Sequence, residues 1–264
     1  MNHERLTFLG GVRYDEYNAS GGATNPRLVL IYDLFDDTAL KLLYGTAFRA
    51  PNAYELHYHD GGYTQKATDD LDPETITTYE LILERRLNSN LRATASGFYY
   101  AMEDLIEQYT DPADGLLVFQ NLGDVEARGV ELTLHGRWDS GLRSRVSYSH
   151  VQAKDEATGE TLVDSPKHLA KLNLIVPILP ERLFAGLEVL YDSEARTLGG
   201  GYAEDFAVTN LTMTYVGASK RLEVAASVYN LFDVDYAFPG FGEHAQNTIE
   251  QDGRTFRVGL TYRF

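Results

Sequence analysis

The sequence of 264 residues contains no cysteine, which excludes a disulfide framework and a thiolate metal site. Basic residues are also scarce, because 23 Lys and Arg stand against 39 Asp and Glu, giving a formal net charge of −16. Nucleic-acid binding needs clustered Lys and Arg, so no nucleic-acid partner is predicted. The acidity is interpreted as solvated, acidic loops.

Long hydrophobic runs are missing as well. A membrane-spanning helix needs about 18 to 20 consecutive apolar residues. The best run here extends from Leu172 to Leu179 and contains Asn173 and Pro177. Residues 1–10 have neither a long apolar core nor a small-residue cleavage site, so they are not predicted to be a signal peptide. We therefore expect a chain that is mature, truncated or recloned without its N-terminus.

Aromatic residues are abundant, with 18 Tyr and 12 Phe against one Trp. The hydrophobic fraction is 44% and the mean hydropathy is −0.29, which is too polar for a helical membrane protein. A transmembrane β-barrel has this mixed profile, because its strands are apolar only at alternate residues and Tyr collects at the membrane interfaces.

Alternation with a period of two recurs along the chain and predicts strands with two different faces. It is clearest at the C-terminus, where one series of residues is apolar and the other polar: Phe256, Val258, Leu260, Tyr262 and Phe264 against Arg257, Gly259, Thr261 and Arg263. In a membrane the apolar series would face lipid and the polar series the lumen. A soluble β-sandwich also alternates, so a second criterion is needed.

Connection lengths supply that criterion, because short turns and long polar stretches alternate strictly. This is typical of periplasmic turns and extracellular loops in a transmembrane barrel. The predicted fold class is all-β, a transmembrane antiparallel barrel of about twelve strands with both termini on the periplasmic side. The approximate strands are 4–14, 25–34, 38–49, 74–87, 91–104, 122–138, 141–153, 168–178, 181–193, 205–216, 220–231 and 253–264.

Five segments occur in an order known from one family: YGTAFRAPNAYEL (44–56), LDPETITTYE (71–80), QNLGDVEARGVEL (120–132), VYNLFDVDY (228–236) and GRTFRVGLTYRF (253–264). Together they resemble the barrel of TonB-dependent outer-membrane receptors, including its "FRAP" segment. The resemblance implies that residues 1–264 form the C-terminal half of a 22-stranded barrel and that no plug domain is present. It also implies that Phe264 and Tyr262 belong to the signal that the barrel-assembly machinery recognises.

The same resemblance implies a function and partners. The parent protein would be a receptor in the bacterial outer membrane, surrounded by lipid and driven by the TonB complex through the missing N-terminal region. Its cargo is expected to be an iron chelate, a ferric siderophore before cobalamin or heme. This chain alone is not expected to perform energised transport.

Two loops carry the candidate ligand-binding residues. The first loop offers Tyr54, His57, Tyr58, His59 and Tyr63. Heme-uptake members of the family have a His between the FRAP segment and an "NPNL" box, but 69–72 here read DDLD, and we favour solvated loop histidines. The last loop offers Tyr236, Phe238, Phe241 and His244, which suit either a stacked ferric siderophore or the aromatic girdle of the interface.

Charged residues give further candidates. Oxygen-rich loops can hold calcium, but the acidic cluster of the first loop is interpreted as solvated, and neither a metal nor a cofactor is predicted. Its members are Asp60, Asp69, Asp70, Asp72 and Glu74. Four arginines are expected to point into the lumen, either to steer an anionic ligand or to pair with Glu80, Glu84, Glu131 and Glu223. These are Arg49, Arg137, Arg257 and Arg263.

No enzyme is predicted. Ser147, Ser149 and His150 lie on one predicted strand, but Ser149 and His150 face opposite sides and cannot form a nucleophile–base pair. Two alternatives to the receptor stay open at this point: a free-standing twelve-stranded passive pore, and a barrel enzyme such as a phospholipase.

Overall fold

A computed structural model describes residues 5–17, 21–68, 70–242 and 244–264. They form sixteen β-strands and a five-residue helix. No helix in this part of the chain is long and apolar enough to cross a membrane.

Twelve of the strands make one sheet, and four short strands make two small hairpins in the loops. The sheet strands are β1 (Leu6–Tyr17), β2 (Gly21–Phe35), β3 (Thr38–Arg49), β4 (Glu74–Arg86), β5 (Leu91–Thr110), β6 (Leu117–Arg137), β7 (Arg143–Asp155), β8 (His168–Leu179), β9 (Leu183–Asp192), β12 (Phe206–Val216), β13 (Leu222–Tyr229) and β16 (Thr255–Tyr262). The loop strands are β10 (Ala195–Arg196), β11 (Tyr202–Ala203), β14 (Ala237–Pro239) and β15 (Thr248–Glu250), and the helix is α1 (Ala53–His57).

Each strand of the large sheet pairs antiparallel with the next strand of that sheet along the chain. The predicted all-β fold and its twelve strands are therefore confirmed. All short turns lie at one end of the sheet, here called the turn end, and all long connections lie at the opposite loop end. A sandwich of two packed sheets is excluded for the described residues.

The connection predicted between the strands 91–104 and 122–138 differs from the structure. Strands β5 and β6 continue through most of it and pair up to Thr110 and Leu117. The continuation is polar, which is why the sequence resembles a loop, but it lies past a β-bulge whose centre, Asp104, has φ 59°. The two strands therefore project as a hairpin beyond the level of their neighbours.

The two faces of the sheet have different chemistry. Leu42, for example, is in register with Leu30 and Leu81, and all three lie on what we call the apolar face. Large hydrophobic side chains on this face are exposed. The exposed fraction is 47% for Leu42 and 74% for Phe256. In water such a surface would aggregate, whereas lipid covers it without cost. The opposite face carries the polar series and is called the polar face.

The buried hydrophobic side chains are few and lie mostly towards the loop end. Only nine are found among the described residues, among them Leu56, Leu71 and Val118. The sheet itself therefore has no packed protein layer on either face within this part of the chain.

Two glycines of the QNLGDVEARGVEL segment have separate roles. The register shifts opposite Gly123, where β5 and β6 form a bulge. Gly129, in contrast, pairs regularly with Phe98. A Cβ at Gly129 would lie 2.3 Å from the carbonyl oxygen of His150, so glycine is required for close approach of the neighbouring strand.

The sheet is open. Strands β1 and β16 stand at the two ends of its order, and no pairing between them occurs among the described residues. The topology thus gives a segment of barrel wall and no support for a closed twelve-stranded pore.

Candidate functional site

A cavity of about 480 Å³ opens on the polar face at the loop end, beneath the last long loop. Strands β8, β9, β12 and β13 supply its wall, and the β14–β15 hairpin covers it. Tyr236 and Phe238, both predicted as ligand-binding residues, line this cavity. We call it the loop pocket.

Three aromatic rings form one side of the loop pocket. The ring centroid of Phe206 lies 4.6 Å from that of Tyr236 and 5.5 Å from that of Phe238, and Tyr236 and Phe238 are 5.9 Å apart. The two contacts of Phe238 are edge-to-face, the geometry in which ring quadrupoles attract. Lys171 and Asp192 add charges to the wall. The pocket therefore offers aromatic surface to a planar organic ligand and one side chain of each charge to its polar groups.

Asn230 shapes the pocket from below. Its side chain is 2% exposed, accepts a hydrogen bond from the backbone N–H of Val234 (2.9 Å) and donates one to the carbonyl of Val234 (2.8 Å). Asp233 accepts from the N–H of Arg254 at 2.6 Å. Both residues have positive φ, 49° and 58°, which Asn and Asp tolerate. The pair therefore ends strand β13 in a turn that leads into the last loop.

The other two candidates of the last loop lie outside the pocket lining. Phe241 is 55% exposed. The Nδ1 atom of His244 accepts a hydrogen bond from the N–H of Phe241 at 3.2 Å, and the N–H of His244 donates to the carbonyl of Phe241. His244 thus closes a tight turn.

The first loop begins with helix α1, and a capping box stabilises the N-terminus of this helix. The side chain of Asn52 accepts from the N–H groups of Tyr54 and Glu55, and Glu55 accepts from the N–H of Asn52. Tyr54 and Tyr58, one turn apart, stack at 4.5 Å, and Tyr54 also meets Phe119 at 5.9 Å. The helix therefore presents an exposed pair of tyrosines against the β5–β6 hairpin.

The remaining candidates of the first loop do not converge. His57 and His59 are exposed, and the Nδ1 atom of His59 accepts from the N–H of Gly61. Tyr63 is 85% exposed. Among the described residues, no ring contact or hydrogen bond joins these side chains to the loop pocket.

Asp60 organises the loop that follows. Its carboxylate accepts hydrogen bonds from the N–H groups of Tyr63, Thr64 and Gln65 and from the hydroxyl of Thr64. These bonds stabilise the ionised form, so the pKa of Asp60 lies well below its usual range. Asp60 acts as a turn former.

Lys66 then ties the first loop to the tip of the β5–β6 hairpin. Its ammonium pairs with the carboxylates of Asp111 and Asp114, and backbone hydrogen bonds join Lys66 and Thr64 to Leu117. The hydrogen bonds between these three side chains raise the pKa of Lys66 and lower the pKa values of Asp111 and Asp114. The two elements form one structured cap.

The acidic cluster of the first loop is dispersed. Besides Asp60, Glu74 is held by Arg49 and Asp72 is joined to Asn121, while Asp69 lies outside the described residues. No group of three or more His, Asp or Glu side chains suited to a metal ion occurs in the described part of the chain.

Comparison with known proteins places these observations in a family. The family model "TonB dependent receptor-like, beta-barrel" matches residues 2–231. The chain belongs to this family. The segment is therefore outer-membrane receptor barrel, as the motifs predicted, and it is not an enzyme.

Two curated relatives illustrate the similarity. An iron-regulated outer membrane virulence protein of Vibrio cholerae is 28% identical over 285 residues, which cover 98% of this chain and 42% of that protein. The vitamin B12 transporter BtuB of Photobacterium profundum is 26% identical and covers 97% of this chain and 40% of its own length. The receptor segment thus spans about two fifths of the relatives it matches.

Solved structures share the fold. A mutant of the ferric enterobactin receptor PfeA from Pseudomonas aeruginosa superposes with a TM-score of 0.83 at 23% identity, covering 100% of this chain and 43% of that one. The siderophore receptor PirA from Acinetobacter baumannii superposes with a TM-score of 0.82 at 19% identity, over 100% and 44% of the two chains. The open sheet is therefore a section of a receptor barrel, with the polar face towards the lumen.

The lumen-facing arginines of this receptor barrel differ in their partners. Arg49 binds Glu74 at 2.5 Å and Glu55 at 2.9 Å, which are not the partners expected from the sequence. Arg263 lies 3.7 Å from Glu223, as predicted. No ion pair of Arg137 or Arg257 occurs among the described residues.

The expected partners of these arginines are engaged elsewhere. Glu84 binds Lys41, Glu80 accepts from the hydroxyl of Tyr100, and Glu131 accepts from Ser149.

The serine and histidine of β7 lie apart in the receptor barrel. Ser149 shares the polar face with Glu131, whereas the ring of His150 lies 4.7 Å from that of His168 on the apolar face. The predicted separation of Ser149 and His150 is confirmed.

Lys171 and Phe206 are among the pocket residues that the sequence did not predict. Each lies near the loop end of its strand. The alternation of β8 places Lys171 on the polar face. Phe206 is the first residue of β12 after a long loop. These two positions are the signals that the sequence offers.

Proposed function

We propose that this chain is the ligand-binding part of a TonB-dependent receptor that takes up a ferric siderophore, with the loop pocket as a contact site for the chelate. The observation that carries the proposal is the packing of Phe206, Tyr236 and Phe238 around a cavity that also contains Lys171. Catecholate groups are planar and anionic in their ferric complexes. Rings stack on them and an ammonium attracts their charge.

The relatives support the iron class without deciding the ligand. An iron-regulated outer membrane protein and a vitamin B12 transporter are similar to the chain at 28% and 26% identity. Cobalamin is therefore the second candidate cargo. It carries no multiple negative charge, so Lys171 would contribute little to its binding.

Uptake by the parent protein would follow the family's scheme. The loops capture the chelate, and a plug domain under force from the TonB complex opens the lumen. In this scheme the tyrosines of α1 and the loop pocket contact the ligand from two loops. Tyr58 and Tyr54 are the residues we assign to the first contact, and His57, His59 and Tyr63 to its rim.

The experiment is a titration of the purified chain in detergent micelles with the ferric complex of three catechol molecules, followed by calorimetry. Phe238→Ala removes one ring of the pocket wall. A ring stacked on the ligand is worth about 1 kcal/mol, so binding should weaken about fivefold. The matched control is Phe241→Ala, on the same loop but outside the pocket lining, and it should bind as the unaltered chain does.

Two results decide between the candidates. Equal affinity of Phe238→Ala and Phe241→Ala for the ferric complex would refute the loop pocket as the contact site. Binding of cyanocobalamin that the ferric complex does not displace would replace the siderophore with cobalamin as the cargo.

A further inference from the structure

A second charged region lies at the opposite end of the same face. Arg86, Arg92, Arg137, Arg143 and Arg145 all belong to the polar series of β4 to β7 near the short turns. We call these five residues the arginine patch. All five side chains are exposed, in a chain whose net charge is −16.

The strand register brings these residues side by side. Arg86 is in register with Arg92, Arg92 with His135, and His135 with Arg145. Arg137 and Arg143 form a second row one step nearer the turn. Side chains in register on neighbouring antiparallel strands have Cβ atoms about 5 Å apart. The patch therefore concentrates five positive charges around one histidine.

The acidic residues that could neutralise the patch do not reach it. None of the five arginines forms an ion pair with another described residue. Glu84, the nearest carboxylate along β4, binds Lys41 at 2.7 Å, and Asp37 faces Arg85 on the apolar side. Like charges so close repel one another, so a bound anion would reduce their mutual repulsion.

The patch surrounds a cavity of about 630 Å³. The arginines share this cavity with the amides of Asn88, Asn90 and Asn173. Guanidinium groups bind oxyanions through paired N–H donors, and amides add further donors. The cavity is thus lined by hydrogen-bond donors and positive charges. These groups suit a ligand rich in anionic oxygen.

We propose that the arginine patch is a binding site for a small multivalent oxyanion at the periplasmic end of the lumen wall. Its role rests on the proposed uptake function: an anionic ferric chelate leaving the loop pocket would meet this patch at the far end of the same face. A small anion is favoured over an acidic protein surface because the five guanidinium groups line one cavity of about 630 Å³.

The test uses the purified full chain in detergent micelles and pyrophosphate as the probe, with calorimetric titration at two salt concentrations. Pyrophosphate has no aromatic group, so its binding does not depend on the loop pocket. The double variant Arg92→Gln/Arg145→Gln should weaken pyrophosphate binding roughly tenfold or more, the loss of at least one charge-assisted contact. Binding should also fall as salt rises.

The matched control is Arg85→Gln, which removes one positive charge next to Arg86 but on the apolar face. It should bind pyrophosphate within about twofold of the unaltered chain because screened charges beyond the cavity contribute little. Should Arg92→Gln/Arg145→Gln fail to give the β-sheet circular dichroism of the unaltered chain, Arg137→Gln/Arg143→Gln tests the same patch through its second row.

The proposal is overturned if pyrophosphate does not bind, or if Arg85→Gln weakens binding as much as the double variant does. It is also overturned if an oligoglutamate peptide binds through the patch while pyrophosphate does not, because the patch would then dock an acidic polypeptide. The loop-pocket variant Phe238→Ala should leave pyrophosphate binding unchanged, which separates failure of this inference from failure of the proposed function.

Discussion

Asn230 is a single residue on which the last long loop depends. Its buried amide donates a hydrogen bond to the carbonyl of Val234 and accepts one from the N–H of Val234. A buried backbone group left without a partner costs about 1 to 3 kcal/mol. The loop that carries Tyr236 and Phe238 therefore starts from a fixed geometry.

Replacing Asn230 with Ala should lower the free energy of unfolding by about 1 to 3 kcal/mol. Asn230→Gly should be less destabilised than Asn230→Ala, since glycine adopts the positive φ of 49° without strain. Urea unfolding of the chain in lipid vesicles measures both. Equal stability of Asn230→Ala and the unaltered chain would contradict this role.

Gly129 is the second residue with a specific steric role. A Cβ added at Gly129 would lie 2.3 Å from the carbonyl oxygen of His150 and 2.7 Å from the ring of Phe98. The backbone oxygen cannot move without breaking the pairing of β6 with β7.

We expect Gly129→Ala to destabilise the sheet by about 1 to 3 kcal/mol, the usual cost of overpacking. Gly259 in β16 is the control, because a Cβ there meets no atom within 4 Å. The same urea experiment compares Gly129→Ala with Gly259→Ala. A larger loss for Gly259→Ala would show that the close approach at Gly129 is not what limits the position.

At the scale of elements, the first loop and the β5–β6 hairpin act together through Lys66. Its two carboxylate partners have lowered pKa values, and its own is raised. Carboxylates with lowered pKa contribute stability above their unfolded values, near pH 4, and lose it as the pH falls through the depressed values. The tie is therefore complete at neutral pH and opens in acid.

Lys66→Gln should loosen the first loop at neutral pH as acid does in the unaltered chain. Hydrogen exchange at the N–H groups of Lys66 and Leu117 should become severalfold faster. The control is Lys220→Gln, which removes an exposed pair with Glu181 at a short turn, where surface pairs contribute little. Unchanged exchange in Lys66→Gln would mean that the backbone bonds alone hold the loop.

How far the sequence predicts these elements depends on what each one faces. Strands between lipid and lumen alternate, so all twelve could be located, as β16 shows with its strict series from Phe256 to Tyr262. The continuation of β5 and β6 beyond the membrane has water on both sides and loses the alternation. Only the bulge at Asp104 and Gly123 marks it.

The candidate site was predictable in part for a similar reason. Tyr236 and Phe238 stand out in a loop, whereas Phe206 and Lys171 belong to strands and become pocket residues only when β8, β12 and the last loop are brought together. The ion pairs of Arg49 with Glu74 and Glu55 likewise depend on helix α1. The capping box that starts this helix is a short, local pattern in the sequence.

At the scale of the whole molecule, the twelve strands are a section of a wall. Strands β1 and β16 have no partner strand among the described residues, and unsatisfied backbone groups at a sheet edge are costly in lipid. A chain that spans 42% of a relative's length would gain most by pairing these edges with further strands.

The isolated chain should therefore associate through its edges when it is reconstituted in lipid vesicles. Cross-linking between a cysteine placed at Val12 in β1 and one placed at Val258 in β16 should give dimers and larger species. Exclusive formation of an intramolecular cross-link would show instead that the twelve strands close into their own ring.

We propose that this segment carries the ligand contacts of a siderophore receptor. Uptake of radiolabelled ferric catecholate tests this in cells whose sole receptor for it is the full-length protein carrying this chain. We expect TonB-dependent uptake that falls severalfold with Phe238→Ala and is unchanged with Phe241→Ala. Uptake that is absent in the unaltered protein, or equal in the two variants, would contradict it.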